Sequence, residues 1–112
     1  MLNEIKRSEI IERWKEHMDK VSQQFRDMES YLHNNGVVIS HKHHITDDES
    51  LMWAWDERSK KSRYRLMYVK EGMPLKPIME TPLEIRLLMV KHLPEFFAGL
   101  ERAIENHMKT VE

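Results

Sequence analysis

The chain has no cysteine, only three glycines and four prolines, and no excess of charge of either sign. Without cysteine there are no disulfides, no thiolate nucleophile and no cysteine-ligated zinc. So little glycine argues against phosphate-cradling loops and strained turns that aim backbone amides at a substrate. The 18 lysines and arginines stand against 19 acids, a formal net charge of −1. Attraction to nucleic acid or to an anionic membrane would therefore have to be local. No apolar run approaches the ~20 residues that span a bilayer. The opening residues, MLNEIKRSEIIERW, are charged throughout and lack the apolar centre of a signal peptide, so a cytoplasmic location is expected.

What is present suits one folded domain over residues 1–112: 40% of residues are hydrophobic and 33% charged, enough for a single core. From about Asn3 to Asn34, Ile11, Trp14, Met18, Val21, Phe25, Met28 and Leu32 recur at spacings of three and four, the signature of an amphipathic helix. Asn34, Asn35 and Gly36 tolerate a left-handed backbone and should end it. Three short strands are expected next, at Val37 to His41, Leu51 to Trp55 and Tyr64 to Val69, joined as an antiparallel meander. In the hairpin of the last two, Leu51, Trp53 and Trp55 pair with Tyr64, Leu66 and Tyr68 on one apolar face, read as core rather than as a platform for stacking bases. The other face, with Met52, Ala54 and Asp56 against Arg63, Arg65 and Met67, reads as the solvent side. Thr81-Pro82-Leu83-Glu84 has the form of a capping box, and the helix it opens should break at Pro94 before a final helix. The fold class is thus α+β: a long N-terminal helix, a three-stranded antiparallel meander and two C-terminal helices broken at Pro94.

The helix order and small sheet superficially resemble double-stranded RNA-binding domains, but the first helix is far too long and no lysine cluster opens the helix after Thr81. No residue role is carried over, and no family is assigned.

Length suggests association. A compact domain of this size is about 34 Å across, whereas a helix over residues 3–34 is about 48 Å long, or about 38 Å if Ser8 caps it. Its apolar stripe should outreach the rest of the chain, and the three-four spacing is also that of a helix–helix seam. A homodimer through Trp14, Met18, Val21 and Phe25 is expected, in a small non-enzymatic protein that works by contacting another protein. The alternative is a nucleic-acid-binding accessory protein: Arg58, Lys60, Lys61, Arg63 and Arg65 place five cations at one hairpin tip. His41-Lys42-His43-His44 is a further cluster in which His41 and His43 share a strand face. Asp47, Asp48 or Glu49 stands near enough to add an oxygen ligand. No metal, cofactor or catalytic residue is assigned from it.

Overall fold

The computed structural model describes residues 8–58 and 63–111. Helix α1 spans Glu9–Asn34, and the Ser8 hydroxyl caps it by accepting the Ile11 amide at 3.3 Å. Its other end closes as the NNG sequence predicts. Gly36 takes φ +64°, its amide bonds to the His33 carbonyl at 3.1 Å, and the Val37 amide reaches the Leu32 carbonyl at 3.0 Å. These two reversed bonds form a Schellman stop, which satisfies carbonyls the last turn would leave unpaired.

Strands β1 (His41–His44), β2 (Glu49–Asp56), β3 (Arg63–Lys70) and β4 (Lys76–Pro77) form one antiparallel sheet in sequence order. A 3-10 turn at Ile78–Glu80 leads to α2 (Leu83–Val90) and α3 (Leu93–Val111). The central hairpin has the register read from its alternation: Leu51 opposes Tyr68, Trp53 opposes Leu66 and Trp55 opposes Tyr64. Leu51, Trp53, Leu66 and Tyr68 are buried in one core with Met18, Val21, Phe25 and Leu32 of α1 and Leu93, Phe96 and Leu100 of α3. The Trp53 indole stacks beside Tyr64 at 5.8 Å between centroids.

Five expectations are corrected. The sheet has four strands, because Lys76–Pro77 adds a two-residue edge against Met67 and Tyr68. The first strand is the histidine run, while Val37 to Ile39 is a link whose carbonyls accept the Trp53 indole N–H at 2.9 Å and the Tyr64 hydroxyl at 2.7 Å. The second sheet face is not open at its centre: Ser50, Ala54, Asp56 and Met67 are all buried. Thr81 forms no capping box, since its hydroxyl turns back to the Ile78 carbonyl at 2.6 Å. The two C-terminal helices are present, but they part at Lys91–His92, and Pro94 lies in the first turn of α3, where its missing amide hydrogen leaves no helical bond unmade.

Arg86 ties α2 to α1, donating to the Ser22 hydroxyl at 2.8 Å and to the Thr81 carbonyl at 3.2 Å. The molecule is elongated, 67 × 31 × 29 Å, with residues 9–17 of α1 exposed throughout.

Two outcomes are expected. Phe25 is 1% exposed at the centre of the helix–sheet contact, so Phe25→Ala should cost about 3–5 kcal/mol in urea unfolding. Tyr68 donates to the Glu49 carboxylate; burial first, then that bond and the charges of Glu49 and Asp48, raise its pKa. The unfolded phenol ionises near 10, so this stabilisation is intact below pH 10 and is lost as pH rises further. Tyr68→Phe should therefore flatten the alkaline fall in melting temperature relative to the parent chain.

Candidate functional site

Three groups of side chains have the convergence or exposure that function needs. The first is the basic hairpin end. Asp56, the last residue of β2, is 3% exposed, and its carboxylate accepts the Arg58 amide at 3.0 Å and the Arg65 Nη1 at 3.4 Å. The Arg58 Nε also lies 3.6 Å from Asp56. Across the sheet edge, Glu29 of α1 approaches Arg63 at 3.8 Å and Arg65 at 3.7 Å, and its second oxygen accepts the Leu66 amide at 3.1 Å. β4 is too short to pair with Leu66, so Glu29 takes the place of a strand partner there. These two acids hold three of the five expected cations. Lys60 and Lys61, the other two, lie outside the described residues. A cleft of about 550 Å³ opens between the second half of α1 and the start of β3, with Arg26, His33 and Arg63 around Glu29.

The second group is a histidine face built by β1 and the start of α3. Alternation along β1 puts His41 and His43 on one strand face, as expected; that face meets α3, and there the two go to different places. The His41 ring packs against Phe96, 5.5 Å between centroids, and over Gly99, where a Cβ would stand 2.7 Å from Nε2. A glycine in the middle of a helix costs about 1 kcal/mol relative to alanine, and here the absent side chain makes room for the imidazole. Burial, then the charges of His43 and Arg102, lower the His41 pKa and favour the neutral ring. Its Nε2 is buried without a hydrogen-bond partner. His43 instead meets His92, at the junction of α2 and α3, and Glu95, in the first turn of α3. Glu95 Oε2 is 3.5 Å from both His43 Nε2 and His92 Nδ1, and one donor atom from each residue lies within 4.8 Å of the others. The turn acids are not part of this: Asp48 and Glu49 accept from Thr46, and His44 meets Ser50 at 3.1 Å on the other face.

The third is the free end of α1. Ile10, Ile11 and Trp14 are 71%, 68% and 53% exposed. Of the four residues expected at a helix seam, only Trp14 is open. Met18, Val21 and Phe25 belong to the chain's own core.

Glu29, Glu95 and Gly99 went unread in the sequence, where His92 is one of several scattered histidines given no role. His92 and Glu95 carried a signal, histidine and acid one turn apart at a helix start, and Gly99 another, a glycine inside a strongly periodic helix. Glu29 carried none, because an acid on a polar helix face looks like every other.

Comparison with known proteins finds no matching family model, no matching curated protein and no matching solved structure. Among the described residues no helix is long and apolar enough to cross a membrane.

The hairpin pairs carry a stability prediction. Asp56→Ala removes the buried partner of Arg58 and Arg65 and should cost about 3 kcal/mol, at the lower end for a broken buried pair because Arg65 keeps Glu29. Chemical denaturation of the variant against the parent chain measures it.

Proposed function

We propose that this chain is a small non-enzymatic interaction protein that acts as a homodimer joined through the free end of α1. The observation that carries the reading is the run of Ile10, Ile11 and Trp14, more than half exposed on a helix whose same stripe enters the core at Met18. Apolar surface left in water is unfavourable by roughly 25 cal/mol per Å², and a second copy offers a like surface to cover it. The charges flanking this end are mixed, with Glu9, Glu12, Glu16 and Asp19 beside Arg13, Lys15 and Lys20. Two such helices crossing antiparallel about a two-fold axis set acid against base without a second kind of partner. The seam moves outward from the one read in the sequence: Trp14 stays in it, while Ile10 and Ile11 replace Met18, Val21 and Phe25.

The nucleic-acid reading draws less support. Arg58, Arg63 and Arg65 already face Asp56 and Glu29, and a phosphate would have to compete with carboxylates at 3.4–3.8 Å.

Sedimentation equilibrium at micromolar concentration tests the dimer. The parent chain should run at twice 13.6 kDa, and Ile11→Glu with Trp14→Glu should run at 13.6 kDa with an unchanged far-ultraviolet spectrum. A parent chain that sediments as a monomer overturns the proposal.

A further inference from the structure

We propose that His43, His92 and Glu95 form a binding site for a borderline transition-metal ion, with zinc the fitting occupant. The site is independent of the dimer and of the hairpin arginines. It joins the third residue of β1 to a helix start about fifty residues later, where His92 at the α2–α3 junction and Glu95 in the first turn of α3 stand three residues apart. Two imidazoles and one carboxylate are a donor set suited to zinc and its neighbours, whereas magnesium and calcium prefer oxygen alone.

The geometry is close to what an ion needs. Zinc ligands stand about 2.0–2.2 Å from the metal, which puts donor atoms of a tetrahedral site roughly 3.3–3.6 Å apart. Glu95 Oε2 already has that separation from His43 Nε2 and from His92 Nδ1, at 3.5 Å each. The remaining histidine–histidine separation, at most 4.8 Å, has to close by no more than about 1.2 Å. The side chains have the freedom for that movement: His43 is 26% exposed, His92 31% and Glu95 68%.

Nearby charge is compatible. The Glu95 carboxylate, in the first turn of α3, supplies the negative charge. Arg102 is the cation that acts on the neighbouring His41, which stays out of the donor set because its Nε2 is held against Gly99. Three protein donors leave a fourth position to water or to a side chain of a bound partner. Occupied, the site fastens β1, a four-residue strand at the sheet edge, to the helical layer.

The test is zinc titration of the full chain without an affinity tag, followed by calorimetry and by melting temperature. One equivalent should bind, and the melting temperature should rise by several degrees at a hundredfold excess over the dissociation constant. His43→Ala, His92→Ala and Glu95→Gln should each weaken binding at least tenfold. His44→Ala, on the other face of β1, and His107→Ala, near the end of α3, should leave it unchanged. Should a variant fail to fold, the ring resonances of His43 and His92 in the parent chain give the answer, since both must shift at one equivalent. Cobalt(II) should add the intense visible bands of a four-coordinate site. Absence of saturable binding, an equal response to magnesium, or affinity that survives both His92→Ala and Glu95→Gln overturns the proposal.

Discussion

The indole of Trp53 is fully enclosed, and its N–H donates to the Val37 carbonyl at 2.9 Å. That bond spans sixteen residues and fastens the segment leaving α1 to the middle of the sheet. Because the ring lies in the same core as Phe25, Phe96 and Leu100, it also sets the distance between sheet and helices. A smaller residue would open a cavity and orphan a carbonyl, two costs of different origin that fall on one position. The Schellman stop at Gly36 delivers Val37 to that place, so the end of α1 and the centre of β2 are fixed together.

Glu29 performs the corresponding task at the opposite margin of the sheet. β3 is eight residues long and β4 two, so most of the β3 edge has no strand beside it. Unpaired strand edges invite association. A helix carboxylate accepting the Leu66 amide and lying close to Arg63 and Arg65 occupies part of that edge with charge. Arg63 and Arg65, two of the five cations that make the hairpin look like a nucleic-acid contact in sequence, are partners of this closure.

Much of the fold was legible because it obeys local rules. Which hairpin residues share a face followed from period-two alternation, and the end of α1 from Asn34-Asn35-Gly36. The misplaced first strand shows where propensity fails: Val37 to Ile39 are better strand formers than His41 to His44, but a tight turn at residues 45–48 puts the histidines, not the valines, opposite β2. Thr81 fits a capping box equally well on paper, yet the preceding 3-10 turn offers its hydroxyl a nearer acceptor in Ile78. The site residues were harder to see. Which histidine of β1 meets His92, and which acid of α1 meets Arg65, depends on how layers stack, and no spacing within one element encodes that.

Helix α1 is anchored from Met18 onward. Ser22 is bonded to Arg86 and Glu29 to the β3 edge, while Trp14 stands fifteen residues from Glu29, about 22 Å along a stiff rod. The exposed turns are therefore a lever whose first packed residue is Met18. A sideways push at the tip bears first on Met18 and Val21, and so on the core they share with Trp53 and Leu66.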